Sequence, residues 1–312
     1  MSTPYAYFEK QIVPLADAKI GVMTHAFNYG TGVFEGIRGN WNAEDETVYL
    51  FRVEEHIRRL AQSARILRID IGHTADEVAT QIKRIVEMSG IREDQYVRPL
   101  AYKSSEVLGV RLHDLKDDLL IFVAPFGPYL DIEKGIRCQT SSWRRVDDNS
   151  IPARAKNTGI YVNSAFAKTD AILNGYDEAI MLTHDGHVSE GSGENIIVVR
   201  DGRLYTPAVS DNVLEGITLA TVVELAGEMG LEVVERSIDR SELYVADEVF
   251  MTGTAAHVTA VTEIDNRPVG DGETGPITKE LQQTYFRIIY GRDPRYAHWC
   301  TPVKLRQPVP QA

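Results

Sequence analysis

The chain has 312 residues, 43% hydrophobic and 25% charged, which is enough to bury a large core and to divide into two domains. A formal net charge of −12 argues against a nucleic-acid or anionic-membrane surface and favours an enzyme of small molecules. Cys138 and Cys300 make no disulfide framework, the N-terminal stretch shows no signal pattern, and the apolar run Leu119-Leu-Ile-Phe-Val-Ala124 is too short to span a bilayer, so a cytoplasmic protein is expected.

Apolar spacing predicts a helix over 53–67 with Ile57, Leu60, Ala61 and Ala64 on one face. Thr74-Ala-Asp-Glu77 is a capping-box pattern that opens a second helix, with Val78, Ile82, Ile85 and Val86 inward and Gly90 at its end. Strands are predicted over 95–102 and 118–125. Phe126-Gly-Pro-Tyr-Leu-Asp131 is rich in turn formers, so 126–135 reads as a connector between a domain over 1–125 and another over 136–312. Beyond it come a strand over 136–143 and a helix over 157–173. Strands over 178–183 and 188–199 are joined through His184-Asp-Gly-His187, a tight-turn signal. An amphipathic helix over 216–229 carries Val222, Leu225, Ala226 and Met229 and closes at Gly230. Strands follow at 231–235 and 248–252, then a turn at Asn266-Arg-Pro-Val-Gly-Asp-Gly272 and a helix over 277–290 with Leu281, Tyr285, Ile288 and Ile289 on one side. The tail after Asp293 is expected to be partly mobile.

Chemistry concentrates in a few segments. Ser150-Ile-Pro-Ala-Arg-Ala-Lys156-Asn-Thr-Gly-Ile-Tyr161 sets a lysine about one helical turn and a residue before a tyrosine, so that the tyrosine can reach the side of the lysine. A buried or conjugated lysine amine is a nucleophile. Val188-Ser-Glu190-Gly-Ser-Gly-Glu194-Asn195 places two carboxylates at a Ser/Gly-rich bend. Leu214-Glu-Gly-Ile-Thr218 opens a helix, whose first amides and positive dipole end suit an anion. His184 and His187 have no third ligand at metal spacing, so no metal is expected. Gly191-Ser-Gly193 lacks the lysine and the spacing of a nucleotide loop.

With Asn28-Tyr29-Gly-Thr-Gly-Val-Phe34-Glu-Gly-Ile-Arg38, Glu55-His-Ile-Arg58-Arg59-Leu60, Tyr96-Val-Arg98-Pro-Leu100 and Met251-Thr-Gly-Thr-Ala-Ala256, these segments resemble the fold-type IV aminotransferases. Within them, the chain is most similar to the branched-chain amino acid aminotransferases, from about Phe8 to Tyr290. The resemblance implies a two-domain α/β fold, with a smaller N-terminal α/β domain and a larger C-terminal α/β domain built on a barrel-like sheet. It implies pyridoxal 5'-phosphate as cofactor, amino acids and 2-oxo acids as substrates, and a homodimer or an assembly of dimers, with no nucleic acid or membrane partner. The reaction implied is exchange of the amino group between leucine, isoleucine or valine and 2-oxoglutarate.

Residue roles follow from the same resemblance. Lys156 would carry the cofactor as a Schiff base and move the proton of the substrate's α carbon. Tyr161 would bond the ring oxygen, and Glu190, after a serine, would face the ring nitrogen, with Glu194 structural. Arg59, chosen over Arg58 by register, would bind the phosphate with the amides of Gly216, Ile217 and Thr218 and the hydroxyl of Thr254. Glu215 stands where the family often has proline, and a charge there should point away. Tyr29 and Phe34 would line an apolar pocket. Arg98, helped by Tyr29 and Tyr129, would take the distal carboxylate of glutamate. Tyr96 and the Thr254-Ala255-Ala256 turn would take the α-carboxylate. Arg111 and His113 fall about two residues late for the carboxylate trap of the D-amino acid transaminases and read as structural. A D-amino acid or (R)-amine transaminase of the same fold is the leading alternative, followed by a non-catalytic protein that binds the same cofactor.

Overall fold

A computed structural model describes residues 4–305. They fall into two compact units. The first holds the chain up to Gly127 together with Ala155–Gly159 and the residues from Arg287 on; the second holds Pro128–Arg154 and Ile160–Phe286.

The first unit is an antiparallel sheet packed on two helices. Its strands run Cys300–Lys304, Thr47–Phe51, Ile37–Asn42, Gln95–Lys103, Asp117–Pro125, Tyr5–Phe8 and Gln11–Pro14, and Gly32–Phe34 also pairs with Gln95–Lys103. Gly32–Phe34 and Ile37–Asn42 share one register on that strand, with Phe34 opposite Leu100 and Ile37 opposite Val97. Side chains alternate across a strand. Val33, Ile37, Val97 and Ala101 therefore enter the core, while Tyr96, Arg98 and Leu100 stand half-buried on the other face. Glu35, between Val33 and Ile37 in the same register, belongs to the core face.

The helix Val53–Ile66 buries Val53, Ile57, Leu60 and Ala64. Ala61, expected on this face, is exposed, and His56, Arg59 and Ser63 are buried instead. The helix Ala75–Ser89 begins with the predicted reciprocal cap between Thr74 and Glu77 and ends at Gly90, whose φ of 59° suits a residue without a Cβ. Such a cap contributes roughly 1 kcal/mol, and each buried Val or Ile of the face about 1.5–3 kcal/mol. Cys300–Lys304 pairs with Thr47–Phe51, so the tail expected to be mobile is a sheet strand as far as Lys304. Its end, Gln307-Pro-Val-Pro-Gln-Ala312, lies outside the described residues.

The second unit is a mixed sheet in the order Val188–Gly191, Glu178–Leu182, Ile136–Arg144, His257–Ile264, Glu248–Gly253, Asn195–Arg200, Arg203–Thr206 and Val233–Glu235. The helices Tyr161–Leu173 and Ile217–Glu228 cross between parallel strand pairs. Only Ser192, Gly193 and Glu194 link the first strand of this order to the sixth. Five strand spacings of a flat sheet measure about 24 Å, while such a link spans at most about 14 Å. The sheet must curl, and Gly191 N donates to Glu194 O at 2.6 Å where its ends meet. This is the expected barrel-like sheet, and the run read as one strand over 188–199 is two strands around that bend.

The helix expected over 157–173 begins only at Tyr161. Asn157 instead makes a β-bridge with Val33. The helical spacing between Lys156 and Tyr161 therefore does not exist, because the backbone between them is bonded to a strand.

Candidate active site

The first unit carries Lys156, and two backbone contacts fix it. Phe34 N donates to Lys156 O at 2.9 Å, and Lys156 N donates to Ser63 Oγ at 3.1 Å. Thr158 N donates to Gly32 O at 2.9 Å, so the segment rides on the strand Gly32–Phe34. Gly30, at φ 64°, lies so close to Gly159 that a Cβ on it would stand 2.9 Å from Gly159 Cα. Lys156 Nζ lies 5.2 Å from the centre of the Phe34 ring.

Arg98 is framed by aromatic rings, its guanidinium carbon 4.3 Å from the Phe34 ring centre and 5.0 Å from that of Tyr96. Arg98 Nη2 donates to Tyr96 Oη at 3.2 Å, and Arg98 Nε is buried with no hydrogen-bond partner. Tyr96 reaches over Gly36, where a Cβ would fall 1.8 Å from its hydroxyl. Tyr29 is partly exposed, and its hydroxyl accepts from Gly109 N at 3.1 Å. His25 Nε2 lies 2.9 Å from Gly109 O, so both hold the loop that bears Leu108 and Val110. Arg111 and His113 are exposed.

Arg59 is buried and Arg58 is exposed. Arg59 donates through Nε and Nη2 to the two oxygens of Glu35, at 2.7 and 2.9 Å. His56 Nδ1 lies 2.7 Å from Glu35 Oε2. Burial alone would raise the Glu35 carboxyl, but the charge and hydrogen bonds of Arg59, with those of His56, outweigh it and hold the group below the usual carboxylate range. Burial lowers the His56 imidazole, and the Arg59 and Lys156 charges add to this against the pull of Glu35. Sequence reading missed Glu35 and His56. The signal was a carboxylate on the inward side of a strand and a histidine one turn before an inward arginine.

The second unit carries Glu190, which is buried on the strand Val188–Gly191. Arg145 Nη2 meets its Oε1 at 2.7 Å, while Leu214 N and Asn195 Nδ2 donate to its Oε2 at 2.9 and 3.2 Å. Such a ring of donors suits an ionised carboxylate, which only accepts. Arg145 and Asn195 were not found from sequence, since neither stands at a helical or alternating spacing from Glu190. Asn195 Nδ2 also donates to Leu214 O at 2.8 Å, and a Cβ on Gly216 would fall 1.8 Å from Asn195 Oδ1. Gly216 caps the helix Ile217–Glu228, with Ile217 and Thr218 buried and Glu215 exposed.

Thr254, Ala255 and Ala256 form the tight loop between paired Gly253 and His257, the latter at φ 59°. Tyr161 opens its helix half-buried, and the Tyr129 ring lies 5.1 Å from Lys168 Nζ. Glu194 has partners other than those of Glu190. Its Oε2 accepts from Gly193 N at 3.1 Å, and its carboxyl shares a hydrogen bond with Glu178. Among the described residues no group of three or more His, Cys, Asp or Glu could hold a metal, and no helix is long and apolar enough to cross a membrane.

The family model of the amino-transferase class IV matches residues 32–264, a span that carries Lys156, Glu190 and the helix start at Gly216. A probable branched-chain-amino-acid aminotransferase of Aquifex aeolicus is 52% identical over 97% of this chain and 97% of its own. The branched-chain aminotransferase of the thermophilic archaeon Thermoproteus uzoniensis, solved with norvaline, superposes with a TM-score of 0.92 at 44% identity, over 96% of this chain and 99% of that one. A further solved branched-chain amino acid aminotransferase, complexed with N-(5'-phosphopyridoxyl)-L-glutamate, gives 0.91 at 42%, over 96% and 99%. The chain belongs to the branched-chain amino acid aminotransferase family.

Proposed function

We propose that this protein exchanges the amino group between L-leucine, L-isoleucine or L-valine and 2-oxoglutarate, with pyridoxal 5'-phosphate as cofactor. Arg98 carries the reading. It is a cation held between two aromatic rings, with one buried N–H lacking a protein partner. A pocket of that kind accepts an aliphatic side chain against its rings and a carboxylate at its guanidinium. The neighbour solved with a phosphopyridoxyl-glutamate adduct and the relatives named for branched-chain amino acids support both substrates.

The residues present fit the cofactor, because Asn195 ties Glu190 to the helix start that Gly216 caps. When bound, the cofactor supplies a carbonyl to take the amino group and a protonated ring to draw electrons. Lys156 Nζ would hold it at rest and would move the proton of the substrate's α carbon. Glu190, its charge supported by Arg145, would favour the protonated ring, and Tyr161 would serve the ring oxygen. Arg59, the amides of Gly216, Ile217 and Thr218, and the Thr254 hydroxyl would take the phosphate. By the family resemblance, Tyr29, Phe34 and Tyr129 would meet the substrate's side chain, and Tyr96 and the amides of Thr254, Ala255 and Ala256 its α-carboxylate.

The protein works as a homo-oligomer. Exposed Val22, Phe27, Leu108 and Val110 in the first unit support this, as do Val162, Phe166 and Leu173 in the second, since monomers rarely leave such apolar surface to water. A cytoplasmic setting is supported by two buried, unbridged cysteines.

The test separates the half-reactions. In Arg98→Ala, amino-group release to 2-oxoglutarate in a single turnover is expected to slow about tenfold to a hundredfold, the worth of a charge-assisted contact. Amino-group uptake from leucine is expected to change little. Equal losses in both halves would refute the dual pocket, and a wild-type preference for D-alanine over L-leucine would favour the D-amino acid reading.

A further inference from the structure

The helix Val53–Ile66 turns a polar row into an apolar core. His56, Arg59 and Ser63 stand at helical spacing, 1%, 8% and 0% exposed, between Ile57, Leu60 and Ala64. This row meets the strand end that holds Lys156. Ser63 accepts from Lys156 N, and Phe34, which donates to Lys156 O, is followed at once by Glu35, which takes both Arg59 and His56. Glu35 N donates to Pro99 O at 2.8 Å, so its own backbone is fixed by the sheet. A buried ion pair gains little stability over apolar residues of the same volume, so core packing alone does not account for this cluster.

We propose that Glu35, with His56, is a positioning residue for Arg59, locking the guanidinium plane so that its charge meets the phosphate of pyridoxal phosphate. This rests on the reading of Arg59 as a phosphate ligand. Bonds to Nε and Nη2 from two oxygens of one carboxylate leave the guanidinium no rotation about its last bond, and a planar fork with a fixed plane has every N–H direction fixed. His56 Nδ1 against Oε2 holds the carboxylate in turn. The same strand turn thus sets the lysine through Phe34 and the arginine through Glu35.

The test compares dissociation constants of pyridoxal phosphate and of pyridoxal, which lacks the phosphate, on cofactor-free protein. The ratio isolates the phosphate contribution, and a general loss of structure does not move it selectively. Arg59→Ala is expected to shrink the preference for the phosphorylated form; an unchanged ratio there would refute the reading of Arg59 itself. Glu35→Gln is expected to shrink it about tenfold, as for one lost charge-assisted contact. Glu35→Gln combined with Arg59→Ala should lose no more than Arg59→Ala alone. A wild-type ratio in Glu35→Gln beside a reduced one in Arg59→Ala, or additive losses in the double variant, would overturn the positioning role. If Glu35→Gln does not fold, Glu35→Asp, one methylene shorter, carries the same comparison, and a wild-type ratio in it overturns the proposal equally.

Discussion

Glu190 meets a guanidinium, a carboxamide and a backbone amide, all of them donors. Glu190→Gln would turn an NH2 group towards at least one of those donors and leave Arg145 buried against a neutral partner. Breaking one side of a buried pair typically costs about 3–5 kcal/mol, and an amide cannot favour a protonated ring nitrogen. The expected outcome is a lower melting temperature together with a transamination rate reduced at least about tenfold. Melting curves and steady-state rates of the same preparation check both. Full activity in Glu190→Gln with loss in Glu194→Gln would move the ring contact to the other glutamate. From sequence the two glutamates differ only by a resemblance. In the structure they differ physically, since Glu190 faces a cation and Glu194 faces another carboxyl.

The start of the helix Ile217–Glu228 is one part with the strands beside it. Asn195 bonds Glu190 and Leu214 at once, and the chain leaves Leu214 for the helix through Gly216 with its hydrogen facing Asn195 Oδ1. In Gly216→Ala the methyl carbon would arrive 1.8 Å from that oxygen, so either Asn195 or the helix start must move. The expected result is cofactor affinity lowered by about tenfold or more, with modest loss of global stability, because the strain falls on a cap and spares the core. Cofactor titration against a melting curve distinguishes this from general unfolding; unchanged affinity would show that the cap does not serve the phosphate. The glycine was legible in sequence as a helix start. The asparagine behind it was not, because strand pairing and loop return bring residue 195 against residue 216.

Across the whole molecule, buried carboxyls set opposing pH slopes. Glu194 is raised well above the usual range by burial and then by the charge of Glu178, which Lys168 pairs at 2.6 Å. A raised carboxyl contributes stability that is fully present below its unfolded pKa, about 4.3, and is lost as pH rises through its folded value. Glu35 and His56 are lowered, so their contributions are lost in the other direction, on acidification. Glu194→Gln, neutral at every pH, is therefore expected to melt progressively higher than the wild type as pH rises from 5 to 8, with the gap growing by at most about 1.4 kcal/mol per pH unit. Parallel melting curves over that range would contradict the raised carboxyl.

The sequence by itself determined the local elements and the family. The two helices of the first unit, the Thr74 cap, the Gly90 stop and the tight turn at His184–His187 depend on neighbouring residues, and their periodicity is written along the chain. Motifs around Lys156, Glu190 and Gly216 were legible for the same reason. The tertiary structure alone decided what distant residues do to one another. It made Asn157 a strand partner of Val33 where periodicity predicted helix, and it made a sheet strand of Cys300–Lys304. It gave Glu35 to Arg59 and Arg145 to Glu190. Spacing along a chain encodes which face a side chain takes; only the paired strands and the packed helix determine which charge it meets there.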